Sequence, residues 1–438
     1  MKINARKLAL RILDDIQNSG DFSHVVINRT LGQYPIEAAD RRFISNLVFG
    51  ILENRIYLDF HIRKFSAQRF SRIHPSVVNI LRMGFYQLIF LTKVPESAAV
   101  DECVKLAKLI HPKEGSFVNG ILRQFIRTGK KVDLPDRKKH PVTYLGIVYS
   151  FPEWLVEKWL SQYGFDFTEG LLRASNEVPR LSVRVNLTKT TVASLMEDFS
   201  KVGVVAEISE KVPYGIVISD LNHLSIQDLP GFNEGAFAIQ DISSMMVGHL
   251  VESTSGQTVI DVCAAPGGKT THFAERVGEK GRVIARDLSE DKLKIIEENV
   301  GRLGLKNVLV EPFDATAYDD SLKHLADCVL VDAPCSGLGI IRRKPDIKYN
   351  KTPESLLALT DIQSSILEVS SRYVKDGGTL VYSTCTINTD ENEAIVQSFL
   401  SQHAEFELCP DGMVTLFPHI DHTDGFFIAK MKKSQGAR

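Results

Sequence analysis

Two cysteines, Cys335 and Cys385, each follow an apolar run that is typical of a buried β-strand. The first lies in Asp-Ala-Pro-Cys-Ser-Gly at residues 332–337, and the second lies in Ser-Thr-Cys-Thr at residues 383–386. In an open parallel sheet, the ends of such strands share the edge at which ligands bind. A thiolate is a good nucleophile near neutral pH, so both residues are candidates for thiol chemistry.

The remaining cysteines carry less chemical information. No two of the six cysteines form a C-x-x-C pair, so a zinc site or a thioredoxin-type motif has no support. Their scatter along the chain also argues against a framework of disulfides. Three of them are expected to be small buried hydrophobic residues, namely Cys103, Cys328 and Cys409.

A glycine-containing turn within residues 257–270 predicts a nucleotide-type binding site. A strand-like apolar run ends at Asp261, Gly267 and Gly268 follow it, and a helical pattern begins at Thr270. Strand, tight glycine turn and helix form the opening unit of ligand sites in open α/β sheets. The glycines allow the backbone to approach the ligand closely.

The pattern of this turn differs from the common phosphate-binding motifs. A P-loop requires G-x-x-x-x-G-K-[ST], but Cys263 stands where its first glycine would be. The dinucleotide pattern G-x-G-x-x-G is also absent. A second strand-like run ends at Asp287, and an acid at that position suits a ribose diol. The sequence therefore predicts an adenosyl ligand without a pyrophosphate, such as S-adenosylmethionine.

The periodicity of apolar residues changes along the chain. Residues 3–128 show apolar positions at spacings of three and four, which predicts a bundle of seven helices. Further helical patterns at residues 144–176 lead to a small α+β unit whose first strand is residues 181–186. From residue 257 onward strands and helices alternate, which predicts a mostly parallel sheet covered by helices, with residues 426–430 as a last edge strand.

The composition is that of a globular protein with an uneven distribution of charge. The 438 residues are 44% hydrophobic and 24% charged, and no apolar run approaches the length of a membrane span. The net charge is -2, but residues 1–140 contain 24 Lys and Arg against 13 Asp and Glu. A basic N-terminal region predicts an anionic partner, most simply a nucleic acid. Solvated helix faces are the alternative explanation.

The segment Asp-x-Cys-Ala-Ala-Pro-Gly-Gly-Lys-Thr at residues 261–270 resembles the cofactor loop of the RNA 5-methylcytosine methyltransferases. The segments around Cys335 and Cys385 resemble further motifs of that family. The resemblance implies that Cys385 is the nucleophile, that Cys335 assists product release, and that Asp332 is the acid near cytosine N3. DNA cytosine methyltransferases instead use a Pro-Cys cysteine as the nucleophile, so Cys335 is the rival candidate.

The same resemblance implies that S-adenosylmethionine is the cofactor. It assigns Asp314 to the adenine amino group, although this chain has Phe313 where the family usually has glycine. Gln240 is expected to pack near the cofactor cleft without contacting the cofactor. The residues expected to bind the cofactor are Cys263, Ala264, Ala265, Pro266, Gly267, Gly268, Lys269, Asp287, Asp314 and Asp332.

The order of modules resembles the bacterial 16S rRNA cytosine-C5 methyltransferases. The resemblance implies an all-α, antitermination-factor-like RNA-binding domain at residues 1–130. Linker helices and a small α+β domain like an RNA-recognition motif follow at residues 131–235, and an α/β Rossmann-like methyltransferase domain occupies residues 236–438. The expected substrate is 16S rRNA, at the cytosine customarily numbered 967, free or in an early assembly intermediate. We expect a cytoplasmic monomer with no membrane partner.

Other interpretations of the sequence stay open. The same chemistry could act on another rRNA or tRNA cytosine, and the basic segment at residues 342–344 is expected to position RNA phosphate beside the target base. A nucleotide-dependent ATPase is a second possibility, against which the missing P-loop glycine weighs. A non-catalytic RNA-binding factor is a third, and the two cysteines at strand ends argue against it.

Overall fold

The computed structural model describes residues 4–251 and 254–435 of the chain. Two compact units are present. The first comprises Met1–Glu177 and Ile341–Asn350, and the second comprises Val178–Ile340 and Lys351–Arg438. Within the two described ranges, no helix combines the length and the hydrophobicity that crossing a lipid bilayer requires.

The first unit is helical. All seven helices predicted within residues 3–128 are present, although the predicted start at residue 3 lies outside the described residues. Two helices begin at a proline, Pro75 and Pro112, and in each the side chain of the preceding histidine caps the first turn. Proline suits the first helical position because a backbone N–H there has no partner within the helix. The helices of this part of the chain are α1 (Ala5–Ser19), α2 (Ser23–Gly32), α3 (Ala38–Glu53), α4 (Arg55–Phe65), α5 (Pro75–Phe90), α6 (Glu96–Ile110), α7 (Pro112–Arg127), α8 (Pro141–Val148), α9 (Glu153–Tyr163) and α10 (Phe165–Ala174).

The second unit contains a small antiparallel sheet of four strands in the order β2-β3-β1-β4. Val183 and Val185 of β1 point into its hydrophobic core, as the alternation of the sequence predicts. The last strand lies beyond the predicted domain boundary at 235/236, so this sheet includes residues from both sides of it. Its elements are β1 (Leu181–Val185), α11 (Val192–Lys201), β2 (Val205–Ile208), β3 (Gly215–Asp220) and β4 (Phe237–Ile239).

The second unit also contains a sheet of seven strands in the order β10-β11-β9-β8-β5-β6-β7. The five strands from β9 to β7 pair in parallel, and β10 and β11 are antiparallel. The strands are β5 (Thr258–Asp261), β6 (Arg282–Asp287), β7 (Val308–Pro312), β8 (Ala326–Asp332), β9 (Val374–Thr384), β10 (Phe406–Leu416) and β11 (Phe426–Lys433). The helices are α12 (Ile242–Val251), α13 (Gly268–Val277), α14 (Glu290–Leu303), α15 (Ile347–Asn350, which lies in the first unit), α16 (Pro353–Ser371), α17 (Glu393–Gln402) and α18 (Pro418–Asp421).

One prediction about this sheet was wrong, because β11 is not an edge strand. The edge is β10, which pairs with β11 and which the sequence pattern did not reveal. Pro410 and Gly412 lie within β10, and the pairing register shifts between Leu408 and Met413. Proline and glycine are typical of turns, and within strands they occur at edges and bulges, so the periodicity of this strand is broken.

Residues 341–350 fold with the helical unit, although the sequence places them between β8 and α16. The hydroxyl of Ser23, the first residue of α2, donates a hydrogen bond of 2.5 Å to the carboxylate of Asp346. The ammonium group of Lys348 donates to the backbone carbonyl of Glu53 at 2.7 Å, and burial lowers the pKa of Lys348 to about 7. The helical unit is therefore built from two distant parts of the chain.

Candidate active site

The order of the strands creates a cleft at the carboxyl edge of the large sheet. The chain runs from β5 outward to β6 and β7, and then crosses to β8 on the other side of β5. Connections leave β5 and β8 in opposite directions, and ligands in open α/β sheets bind at such a switch point. Five predicted residues lie at or just beyond the ends of these strands: Asp261, Asp287, Asp314, Asp332 and Cys385.

The predicted cofactor turn, residues 263–269, is held against the end of β6. The backbone N–H of Ala265 donates a hydrogen bond of 3.1 Å to Oδ2 of Asp287. Gly267 has a φ of +98°, a conformation that glycine adopts without strain, and α13 begins at the next residue. Ala264 and Gly267 are buried, Pro266 is exposed, and Cys263, Ala265, Gly268 and Lys269 are half-buried. Gln240 lies beside the turn, because a Cβ built on Gly268 would meet its side chain at 3.8 Å.

Asp261 supports the turn from below. Its side chain is buried, and Oδ2 accepts a hydrogen bond of 2.6 Å from the hydroxyl of Thr270 in α13. Burial raises the pKa of Asp261 to about 7, because the charged carboxylate loses its hydration. The carboxyl group is therefore a structural link between β5 and α13.

We expect Asp261→Asn to make stability less dependent on pH. Between the ordinary pKa of 3.8 and the folded value of about 7, the folded wild type binds a proton that the unfolded chain has lost. Its stability therefore falls as the pH rises through this window, whereas asparagine does not ionise. Denaturant unfolding from pH 5 to pH 8 should show the variant gaining stability relative to wild type up to about pH 7, and no further gain above it.

The control for this experiment is Asp314→Asn. Hydrogen bonds from Thr316 lower the pKa of the exposed Asp314, so its replacement cannot reproduce a gain between pH 5 and pH 7. Parallel pH profiles for wild type and Asp261→Asn would contradict the interpretation. Asp314 itself lies on an exposed turn after β7, with Thr316 as its hydrogen-bond partner.

An ion pair joins the two sides of the switch point. The ammonium group of Lys269, in the glycine turn, donates a hydrogen bond of 2.6 Å to Oδ2 of Asp332 at the end of β8. The hydroxyl of Ser383 on β9 donates to Oδ1 of the same carboxylate at 2.9 Å. Asp332 is half-buried, and through these two hydrogen bonds it links the glycine turn to the strand that leads into Cys385.

The two predicted catalytic cysteines lie in contact. The sulfur atoms of Cys335 and Cys385 are 3.3 Å apart, and both side chains are half-buried. The pKa of Cys335 is raised well above the ordinary value by its hydrogen bond with the sulfur of Cys385 and by burial, which disfavours the charged thiolate. At neutral pH Cys335 therefore holds its proton.

A buried carboxylate, which the sequence did not reveal as part of the site, holds the two cysteine turns together. Glu391 has no exposed surface, and its Oε2 accepts hydrogen bonds from the backbone N–H of Ser336 and from the side-chain amide of Gln363. The hydroxyls of Ser336 and Thr386, each adjacent to one of the cysteines, are 2.8 Å apart. The available signal was the polar run Asn-Thr-Asp-Glu-Asn at residues 388–392, shortly after Cys385, because polar side chains so close to a buried strand need hydrogen-bond partners where they are buried.

The basic segment at residues 342–344 differs from the prediction. Arg342 is buried, with 8% of its surface exposed, so it cannot act as an open phosphate contact. Arg343 and Lys344 are half-buried, and the ammonium of Lys344 lies 5.6 Å from the ring centre of Phe22. Only these two residues of the segment retain the phosphate-positioning role as a prediction.

Three parts of the chain match known protein families. Residues 249–432 match the family described as 16S rRNA methyltransferase RsmB/F. Residues 3–127 match the NusB family, and residues 151–223 match a ferredoxin-like domain of RsmF/B-like methyltransferases. The predicted fold class is thereby confirmed: a helical N-terminal domain, a small α+β domain and a Rossmann-like methyltransferase domain.

Relatives similar over their whole length are also known. The chain is 37% identical to "Probable ribosomal RNA small subunit methyltransferase B" of Bacillus subtilis (strain 168), with 99% of each chain covered. It is 36% identical to the protein of the same name from Synechocystis sp., covering 99% of this chain and 100% of the relative. The solved structure of PH0851 superposes with a TM-score of 0.81 at 27% identity, covering 99% of this chain and 100% of that one. Because the likeness extends over all three modules, the chain belongs to the ribosomal RNA small subunit methyltransferase B family.

Proposed function

We propose that this protein transfers a methyl group from S-adenosylmethionine to C5 of a cytosine in 16S rRNA, through a covalent adduct between Cys385 and C6 of the base. The dependence on S-adenosylmethionine follows from membership of the methyltransferase family. The observation that carries the proposal is the pair of cysteine sulfur atoms, 3.3 Å apart, beside the switch point of the sheet.

The residues at the switch point fit an adenosyl cofactor. The left-handed conformation of Gly267 requires glycine, because a Cβ there would be strained and would meet Ile296 at 3.3 Å. The carboxylate of Asp287 lies at the end of the neighbouring strand. Asp287 would accept hydrogen bonds from the ribose hydroxyls while its Oδ2 holds the N–H of Ala265. S-adenosylmethionine supplies an electrophilic methyl group on a sulfonium sulfur.

We expect Asp287→Asn to weaken binding of S-adenosylmethionine about tenfold, because hydrogen bonds to a charged acceptor contribute about 1.5–3 kcal/mol. Titration calorimetry with S-adenosylmethionine measures the effect. The control is Glu290→Gln, an equally conservative change of an exposed acid in the first turn of α14. Equal affinities of Asp287→Asn and wild type would remove Asp287 from the proposed cofactor site.

The first chemical step is addition of the Cys385 thiolate to C6 of cytosine. C5 of cytosine is a weak nucleophile, and a new bond from sulfur to C6 moves the electron pair of the C5=C6 double bond toward C5. The negative charge that spreads into the ring is neutralised as N3 gains a proton from water, and N3 returns this proton to water when the methylated base is released. The carboxylate of Asp332 accepts a hydrogen bond from that N–H group and stabilises the adduct.

Two features support Cys385 over Cys335 as the nucleophile. The raised pKa of Cys335 keeps that residue a thiol, so its S–H group, 3.3 Å from the sulfur of Cys385, would be the hydrogen-bond donor to a Cys385 nucleophile. Cys385 also directly follows β9, two residues after Ser383, whose hydroxyl donates a hydrogen bond to Asp332. Asp332 and Cys385 thus lie at the ends of the neighbouring strands β8 and β9. This arrangement suits a reaction in which one group contacts N3 of the base and the other bonds to C6.

Cys335 acts after the methyl group is in place. Bond formation at C6 removes the charge from Cys385, so Cys335 can then release its proton to water and accept the C5 proton. The electron pair of the C5–H bond restores the C5=C6 double bond. The bond between C6 and sulfur breaks in the same step, and Cys385 leaves as a thiolate.

We propose cytosine 967 of 16S rRNA as the target, in RNA that is free or in an early assembly intermediate, and a monomeric enzyme in the cytoplasm. A base must leave its stack to enter such a site, and this is easiest before the subunit is assembled. Transfer of labelled methyl groups from S-adenosylmethionine to 16S rRNA, followed by mapping of the modified nucleotide, tests the proposal. Label at another cytosine would retain the chemistry and reject the target, and no label in any rRNA would reject both.

A further inference from the structure

Arg184 is a fully buried charge on the small four-stranded sheet. It has no exposed surface, and it lies on β1, the strand between β3 and β4. Val183 and Val185 occupy the hydrophobic core on one face of that strand, so Arg184 points to the opposite face. An alternating strand usually presents its polar face to water, but here the polar residues Ser182 and Arg184 are both buried.

The partners of Arg184 belong to the predicted cofactor turn and its helix. Nη1 donates a hydrogen bond of 2.8 Å to the backbone carbonyl of Gly268, and Nη2 donates one of 3.1 Å to the hydroxyl of Thr271. Nη2 and Nε both donate to the carboxylate of Glu275 in α13, at 2.7 Å and 3.2 Å. Nη1 also donates to the side chain of Gln240, beside Gly268. Every nitrogen of the guanidinium group is thus engaged.

This arrangement is electrostatically unusual. The N-terminus of a helix carries partial positive charge, so a guanidinium group beside the first turn of α13 is repelled there. Glu275, one helical turn further on, offsets that repulsion through a bidentate ion pair. A buried ion pair seldom stabilises a fold more than apolar residues would. The contribution of the pair between Arg184 and Glu275 is therefore to fix the position of the guanidinium group beside the turn.

The contacts fix the geometry of the residues that follow Gly267. The hydroxyl of Thr271 bonds at 2.9 Å to the carbonyl of Gly267, which is the left-handed residue of the turn. Arg184 therefore holds the carbonyl of Gly268 directly, and it holds the carbonyl of Gly267 through the hydroxyl of Thr271. A lysine could replace the charge of Arg184, but one ammonium group cannot reproduce the planar, multiple hydrogen bonding.

We propose that Arg184 is a positioning residue for the cofactor, through which the small sheet sets the shape of the glycine turn and hence the affinity for S-adenosylmethionine. The proposal rests on the assignment of residues 263–269 as the cofactor turn. It gives the ferredoxin-like domain a role in the methyl-donor site.

The test compares Arg184→Lys with Arg302→Lys. Arg302 is the matched control, because it donates to the backbone carbonyls of Phe232 and Phe237 near the small sheet and touches no residue of the turn in these contacts. We expect Arg184→Lys to raise the Kd for S-adenosylmethionine, measured by calorimetry, about tenfold. The KM for the cofactor should rise to the same extent, whereas kcat at saturating cofactor and the affinity for RNA should change less than twofold.

A milder variant, Thr271→Val, tests the same contacts if Arg184→Lys does not fold. It removes the hydroxyl between Arg184 and Gly267 and should raise the Kd in the same direction. The double variant should be less than additive, because both changes break one network. Equal Kd values for wild type and Thr271→Val, or an equal rise in Kd for Arg302→Lys and Arg184→Lys, would overturn the proposal.

The assignment of the cofactor turn is tested separately by Asp287→Asn. If Asp287→Asn weakens binding of S-adenosylmethionine and both Arg184→Lys and Thr271→Val do not, the positioning role alone is rejected. If wild type binds S-adenosylmethionine and none of the three variants changes its affinity, the assigned turn and the positioning role are rejected together.

Discussion

Cys385→Ala should abolish methylation of rRNA, with kcat reduced by about 10⁴-fold or more, as is usual when a covalent nucleophile is removed. The alanine cannot add to C6, so C5 of the cytosine stays a weak nucleophile however well the cofactor is bound. Binding of S-adenosylmethionine and of RNA should change little, because the predicted cofactor residues lie at or after the ends of β5, β6, β7 and β8, whereas Cys385 follows β9. Single-turnover methyl transfer and separate titrations of the two ligands measure these quantities.

The matched control for Cys385→Ala is Cys409→Ala, the same substitution at a half-buried cysteine on β10 of the same sheet. It should leave kcat within about twofold of wild type, since surface and edge positions seldom affect function. A Cys385→Ala enzyme that still methylates, together with an inactive Cys335→Ala enzyme, would make Cys335 the nucleophile and reverse the assigned roles.

Cys335→Ala should trap the enzyme on its RNA. Addition by Cys385 and methyl transfer can proceed without the hydrogen bond from residue 335, but removal of the C5 proton needs the base that Cys335 supplies. General-base assistance is worth about 10²–10⁴-fold, so multiple-turnover methylation should fall by that factor while a covalent complex accumulates. A band of labelled RNA that migrates with the protein under denaturing conditions, and that appears only with S-adenosylmethionine present, measures the complex.

The double variant Cys335→Ala/Cys385→Ala provides the control for trapping, because it lacks the sulfur that forms the bond. It should give no covalent band at any cofactor concentration. A covalent band with this double variant would show that a different residue bonds to the base. Loss of methylation in Cys335→Ala without any covalent band would assign Cys335 to an earlier step than product release.

The sequence was sufficient to predict the parallel strands and the turns that follow them. Glycines, prolines and β-branched residues act locally, so the glycine turn after Asp261 and the cysteine turns after β8 and β9 could be located from short segments. Contact between Cys335 and Cys385 was expected only as proximity at a shared edge, because the pairing of two loops depends on side chains far apart in sequence. The buried Glu391 that joins those loops illustrates the same limit.

Three other features could not be predicted, each for a different physical reason. The strand β10 is interrupted by Pro410 and Gly412, which removes the alternation that marks a strand. The polar face of β1, with Arg184, has the pattern of a solvated surface, and only tertiary structure shows what covers it. No local sequence pattern indicates that residues 341–350 belong to the helical unit, because this depends on contacts with residues more than 170 positions away.

That shared construction of the helical unit has a consequence for how the chain is made. A ribosome completes residues 1–177 well before it reaches Asp346 and Lys348, and at typical rates of about 5–20 residues per second the delay is on the order of 10 s. During that interval Ser23 lacks its carboxylate partner and the carbonyl of Glu53 lacks its ammonium donor. The N-terminal helices thus emerge from the ribosome without the contacts that residues 341–350 make in the folded unit. These contacts form only when the middle of the methyltransferase sequence has been translated.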